Sequence, residues 1–187
     1  MGAKIECMQL ILGLGNPGKE YELTRHNAGF LAADRLLAKL NKKAVFKKEN
    51  KFGAEVARVG DVLIAKPTTF MNESGRAVRK MMDFYKIGVD ELVLMHDDLD
   101  IRLGEYKVKQ GVGPKVHNGI GSVEKALGDK SFLRVRLGVD SRLSGVKYKS
   151  GADYVLSKMT KEELSKLDMA MDLALGDLAV AFGLEFE

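Results

Sequence analysis

Cysteine is almost absent. Cys7 is the single thiol among 187 residues, so an internal disulfide is excluded and dithiol redox chemistry with it. Long apolar runs are missing too: none approaches the eighteen or so residues that a membrane span requires. The first residues show no charged segment leading into an apolar stretch and a small-residue cleavage site. A cytoplasmic location without a membrane partner is the expectation. Charge of one sign is also scarce, because a formal net charge of +4 at pH 7 is small for a domain that binds nucleic acid through bulk charge alone. Any such contact must be local. Basic residues do gather at 39–51, 102–115 and 134–149, with acidic residues concentrated toward the C-terminal end; as solvated faces they need no partner, as local patches they could hold phosphate. No repeat, low-complexity tract or linker breaks the chain. At 45% hydrophobic residues it is long enough for one core and too short to favour two. One domain over residues 1–187 is expected.

What is present reads as interleaved strands and helices. Leu10, Ile11 and Leu12 form a short apolar run broken by Gly13, Gly15, Asn16, Pro17 and Gly18, a buried strand entering a turn-rich loop. From Asn27, a candidate N-cap, Phe30, Ala33, Leu36, Leu37 and Leu40 recur at helical spacing. Residues 56–59 and 62–65 flank Gly60-Asp61, which predicts a hairpin. A second amphipathic helix carries Ala77, Val78, Met81, Phe84 and Tyr85. Residues 92–95 read as an apolar strand, while Tyr106 with Val108, and Val135 with Leu137 and Val139, alternate as strands do. Ile120, Val123, Ala126 and Leu127 predict a short helix closed by Gly128. Thr160 to Glu163 make a capping box, followed by Leu164, Leu167, Met171, Leu175, Leu178 and Phe182 up to Gly183. Such alternation, with antiparallel hairpins, predicts an α/β layered fold around a mixed sheet.

Several chemistries find no support. The string GLGNPG matches G-x-G-x-x-G literally, but Pro17 removes a backbone donor and the helical pattern starts well beyond the glycines, so a dinucleotide site is not expected. His26, His96 and His117 never fall at zinc-motif spacings, and no metal or other cofactor is expected. No G-x-S-x-G elbow occurs, and Ser74 reads as a helix-start residue. The residues just past the apolar strands share a different theme: Asn16 and His26 after the first, Asn72 after the hairpin, His96, Asp97 and Asp98 after residues 92–95, then His117 and Asn118. Asparagine also favours turns and helix N-caps, so each taken singly has a structural explanation. Together they suit water activated by histidine, with a carboxylate orienting the ring and carboxamides holding substrate and charge, a chemistry fit for an activated ester.

The segments GLGNPGKEYELTRHNAGF, KPTTFMNESGRAV, HDDLD and HNGIGSV resemble, in order and at compatible spacing, the signature blocks of bacterial peptidyl-tRNA hydrolases, over about residues 10–183. The resemblance implies a single three-layer α/β domain, a twisted mixed β-sheet flanked by helices, acting as a monomer on the acceptor stem and 3′ end of peptidyl-tRNA. It implies His26 as catalytic histidine and Asp97 as its carboxylate partner. Asn16, Asn72 and Asn118 correspond to carboxamides that position the peptide, the ester and the attacking water; Tyr21 and Met71 to residues of the cleft. His117 matches a second histidine with a positioning role, and Lys109 and Arg136 a basic pair for the tRNA 5′-phosphate. One departure stands out. Where that family has a glycine-rich run, this chain has Val112, Pro114, Lys115 and Val116 before His117-Asn118, which stiffens the loop and bears on gating and acceptor-stem fit. Lys115 could add a phosphate contact. The alternative is a non-catalytic RNA-binding relative of the same fold; a generic small-ester hydrolase would leave the basic clusters unused.

Overall fold

A computed structural model describes residues 8–142 and 150–187. Cys7 and the 143–149 part of the third basic stretch lie outside the described residues. The elements are β1 (Gln9–Gly13), α1 (Ala28–Leu40), β2 (Lys47–Glu49), β3 (Ala54–Val59), β4 (Val62–Pro67), α2 (Ser74–Tyr85), β5 (Leu92–Arg102), β6 (Tyr106–Gln110), α3 (Asn118–Leu127), β7 (Leu133–Asp140), α4 (Gly151–Val155) and α5 (Lys161–Phe182). The strands form one seven-stranded sheet in the order β2-β3-β4-β1-β5-β7-β6. β1 runs parallel to β4 and β5, and β5 to β7, while β2-β3-β4 and β6-β7 pair antiparallel. The sheet is mixed, as the sequence pattern requires.

Strand alternation divides the core into two layers. Ile11 joins the cluster of Leu36 and Leu37 from α1 with Leu175 and Leu178 from α5. Leu10 and Leu12 face the other way, toward Val78 and Met81 of α2 and Ile120 and Val123 of α3. Each such buried aliphatic side chain contributes about 1.5–3 kcal/mol, so both helix layers are pinned to the central strands. At one point the packing is backbone on backbone. A Cβ on Gly13 would lie 2.2 Å from the Gly29 carbonyl oxygen, and one on Gly29 would lie 2.2 Å from that of Met95. Only glycine permits α1 to start this close to the end of β1 and to β5 beside it, and that approach carries His26 to the carboxyl end of β1.

The local signals perform as expected at the helix ends and the hairpin. Thr160 Oγ1 accepts the Glu163 N–H and the Glu163 carboxylate accepts the Thr160 N–H. Gly128 and Gly183 close α3 and α5 in the left-handed conformation, and Val59 pairs with Val62 across Gly60-Asp61. Other features differ from expectation. β5 does not stop at residue 95 but continues to Arg102, because β7 pairs alongside it through His96, Asp97 and Asp98. β2 and α4 carry no sequence signal strong enough to predict them. Phe84, expected on the core face of α2, is 57% exposed. Asn27 precedes α1 as expected, yet its side chain makes no capping bond.

Candidate active site

β1 lies between β4 and β5, all parallel, and the polar residues collect at the carboxyl ends of these strands, where open α/β sheets gather ligands. Gly13, the last residue of β1, pairs with Met95. From His96 onward β5 has outrun β1, so Asp97 stands at an open end. Asn16 follows β1, and His26 lies in a single 3₁₀ turn, Arg25–Asn27, that feeds α1. Arg25, 3% exposed, fastens this turn. Its guanidinium donates to the Ser157 hydroxyl at 2.8 Å and to the carbonyls of Ser157 and Lys158, pairs with Glu163, and lies 4.4 Å from the Tyr154 ring centroid.

Asp97 Oδ1 receives two imidazoles, His26 Nδ1 at 2.8 Å and His117 Nε2 at 2.9 Å. The rest of the network fixes the tautomers. His117 Nδ1 accepts the N–H groups of Gly119 and Ile120 as the N-cap of α3, so its proton is on Nε2 and points at Asp97. His117 is thereby a neutral donor, not a base. His26 also donates from Nδ1 to the carboxylate, which leaves Nε2 with a lone pair on a ring that lines the cleft. Burial pushes the His26 pKa down, but the charge of Asp97 and its hydrogen bond outweigh burial and hold it above the usual 6.5. Burial would raise the Asp97 pKa; the two imidazoles overcome this and keep the carboxyl well below its usual range. Behind them His96 is fully buried, donates from Nδ1 to the Asp97 carbonyl at 2.7 Å, and packs edge-on to His117. Burial, then the neighbouring His117, lower its pKa to about 3.

The carboxamides are not spent on helix caps. Asn16 is clamped by Asn27, whose Oδ1 accepts the Asn16 N–H at 2.9 Å while its Nδ2 donates to the Asn16 carbonyl at 3.0 Å. Asn16 Oδ1 in turn accepts the Met71 N–H at 2.9 Å, which directs the Asn16 amide N–H groups away from that bond. Neither Asn72 nor Asn118 caps a helix; both are exposed and line the cleft with Asn16, His26, Met71, Asp97 and His117. The cleft has a volume of about 640 Å³. Its outer walls are Phe70, the loop residues Pro114 and Val116, Leu99, and Val155 and Leu156 at the end of α4. Tyr21 is not among the lining residues; its carbonyl accepts the N–H and hydroxyl of Thr24 in the turn before His26.

The basic pair is divided by burial. Lys109 is exposed on the edge strand β6. Arg136 is 7% exposed, its Nε donates to Asp98 Oδ2 at 2.7 Å, and Gly113 packs against its guanidinium. The register sets Lys109 opposite Arg134 and Lys107 opposite Arg136. Arg134, 2% exposed, holds the same loop by donating to the Gly113 carbonyl and to Glu124. The Lys115 N–H reaches Asp100 Oδ2 at 3.3 Å. The sequence gives no sign of the roles of Arg25 and Arg134, marks Asn27 only as an N-cap rather than the clamp on Asn16, and places His96 at the strand end without its buried bond to the Asp97 carbonyl. Arg25 and Asn27 adjoin His26 in the Thr-Arg-His-Asn string, but their partners are distant in the chain.

Among the described residues, one group has donors close enough to hold a metal ion: His26, Asp97 and His117, with ligand atoms within 4.8 Å of one another. Those atoms already bond to each other and the remaining His117 nitrogen caps α3, so the network is complete in itself. Chemically the arrangement can supply a general base, because a buried carboxylate orients His26 with Nε2 free beside carboxamide donors.

A family model for peptidyl-tRNA hydrolase matches residues 10–185. The chain is 42% identical over 168 residues to a peptidyl-tRNA hydrolase of Bacillus cereus strain ATCC 14579, covering 89% of each chain. To the peptidyl-tRNA hydrolase of Neisseria meningitidis serogroup A it is 45% identical over 176 residues, 90% of this chain and 87% of that one. Among solved structures, the peptidyl-tRNA hydrolase of Acinetobacter baumannii superposes with a TM-score of 0.77 at 32% identity, covering 98% of this chain and 96% of that one. A peptidyl-tRNA hydrolase solved with N-propanol gives 0.78 at 34%, covering 94% and 88%.

Proposed function

The chain belongs to the peptidyl-tRNA hydrolase family, and from that premise we propose that it hydrolyses the ester of peptidyl-tRNA with a water molecule activated by His26. The observation that carries the mechanism is the shared Asp97 oxygen, which orders both imidazoles and leaves His26 Nε2 as the base. Nε2 takes a proton as the water oxygen attacks the ester carbonyl carbon. Asp97 stabilises the imidazolium that forms. The carbonyl oxygen becomes an oxyanion, for which the N–H groups of Asn16, Asn72 and Asn118 are the available side-chain donors in the cleft. Collapse breaks the bond to the ribose oxygen, His26 returns its proton to that oxygen, and free peptide and tRNA result. No covalent enzyme intermediate is formed.

Met71 forms part of the cleft floor, and His117 positions Asp97. We place Tyr21 in the support of the His26 turn, and Lys109 with Arg136 in contact with the tRNA, Lys109 as the exposed phosphate ligand. We take the chain to act as a single domain and a monomer on the acceptor stem and 3′ end of the tRNA. No helix among the described residues is long and apolar enough to cross a membrane, in keeping with a cytoplasmic enzyme of translation.

The test is release of peptide from N-acetylaminoacyl-tRNA near neutral pH with a chelator present, run beside His26→Ala and an unblocked aminoacyl-tRNA. Cleavage of the blocked substrate is expected, with a loss of at least about 10²–10⁴-fold in the variant and tRNA binding retained. Salt-sensitive tRNA binding without cleavage by the wild type would replace this reading with an RNA-binding one.

A further inference from the structure

We infer that this enzyme discriminates among its substrates by the side chain of the residue esterified to the tRNA, favouring apolar residues through a rim built by Phe70, Val116 and Leu156. The inference rests on the hydrolase reading above. Phe70 is 56% exposed, Val116 85% and Leu156 45%, yet all three line the cleft that holds His26. Single exposed apolar residues need no explanation, but here they come from three separate segments: the turn before α2, the loop between β6 and α3, and the end of α4. Their convergence on one opening marks a binding surface.

Among the described residues the lining carries no lysine, arginine or glutamate; its ionisable side chains are Asp97, His26 and His117, and these are already bonded to one another. A charged substrate side chain entering the cleft would lose water and meet no unpaired charge among the described lining residues, whereas an apolar one would cover exposed carbon on both sides. Asn16, Asn72 and Asn118 offer hydrogen bonds suited to the peptide backbone and the ester, which leaves the side chain to the rim. The wall carrying Val116 is preformed, because its loop is tied through the Gly113 carbonyl to Arg134 and through the Lys115 N–H to Asp100.

The experiment charges one tRNA body in turn with N-acetylated glycine, leucine, phenylalanine and aspartate and measures kcat/KM for each. Leucine and phenylalanine should exceed glycine by roughly ten-fold, the effect of desolvating one or two methylene equivalents, and aspartate should fall below glycine. Val116→Thr, which matches valine in shape, and Phe70→Asn should each reduce the leucine-to-glycine ratio several-fold, whereas Val116→Ile should preserve it. Equal kcat/KM across the wild-type series, or ratios unmoved in both polar variants, would overturn the specificity while leaving the hydrolase intact. Failure to cleave any of the four would overturn the hydrolase reading itself.

Discussion

Replacing Asp97 with asparagine separates geometry from charge in the active site. Both imidazoles bond to the same carboxylate oxygen, at 2.8 and 2.9 Å, and an amide oxygen has two lone pairs with which to accept both. The shape of the network can therefore survive Asp97→Asn while its negative charge is lost. Two effects follow, of opposite sign. In the free enzyme the His26 pKa is held above 6.5 only because the charge and hydrogen bond of Asp97 outweigh burial. Without the charge, burial prevails and the pKa falls, so more His26 is in its basic form at neutral pH. In the transition state, the imidazolium loses its counter-ion. Hydrogen bonds to charged groups are worth about 1.5–3 kcal/mol against about 1 for neutral ones, and the lost Coulomb attraction adds to that difference. A total of about 3–5 kcal/mol corresponds to roughly 10²–10⁴-fold in rate. The assay is kcat/KM for an N-acetylaminoacyl-tRNA from about pH 5 to pH 9. A lower plateau is expected, with its acid limb displaced to lower pH and tRNA affinity unchanged. A plateau within about three-fold of wild type, or an acid limb displaced upward, would refute the assignment of Asp97 as the charge behind His26.

Three further outcomes follow from where the remaining polar side chains stand, one exposed and two buried. Lys109→Ala should reduce the slope of log affinity for tRNA against log salt by about 0.7–0.9, one phosphate contact, without altering thermal stability; an unchanged slope would remove Lys109 from the interface. Arg136→Ala should instead lower stability by about 3–5 kcal/mol, because it leaves Asp98, whose side chain is 0% exposed, buried without its partner; a wild-type melting curve would show that pairing to be dispensable. For His96, burial first and then His117 lower the pKa to about 3 from 6.5. Between those values the unfolded chain binds a proton that the folded chain refuses, so stability is lost on acidification, by about 2 kcal/mol from pH 6.5 to pH 5. His96→Gln should remove that loss while His26 contributes equally to both proteins. Urea unfolding that shows parallel pH dependence in the two would contradict the buried neutral His96.

Short-range chemistry made much of this fold legible. The capping box at Thr160, the glycines at 128 and 183, the Gly60-Asp61 hairpin and the apolar triplet 10–12 each act through neighbours a few residues away, and each is where the pattern placed it. The failures have the opposite cause. Residues 96–102 carry His, three Asp and an Arg and do not look like a strand; pairing with β7 makes them one. His117 is not among the usual N-cap residues, so its capping role was invisible, although its identity as a site residue was not. Arg25 reaches Ser157 and Glu163, and Arg136 is buried against Asp98. No periodicity encodes such contacts. For that reason the pattern that marks Arg136 as a phosphate ligand gives no sign of the buried carboxylate, Asp98, that holds its Nε.

The distribution of charge in and around the cleft explains why these contacts matter for chemistry. Asp97 is shared by two N–H donors, Asp98 is matched by Arg136, Glu124 by Arg134 and Glu163 by Arg25. Each of these ions is thus fixed before substrate arrives, and among the described residues the cleft surface facing the peptide carries no unpaired charge. Under those conditions the charge that changes during turnover is the pair created by the reaction, an imidazolium at His26 and an oxyanion on the ester. Preorganised dipoles act most strongly on charges that appear in such a place, because little solvent or side-chain rearrangement is needed as they form. A second carboxylate or a mobile lysine at the rim would weaken that advantage by screening the developing pair or by competing for it. The apolar character of Phe70, Val116 and Leu156 serves catalysis and substrate choice together: the surface that excludes competing charge from the reaction is the surface an apolar side chain covers.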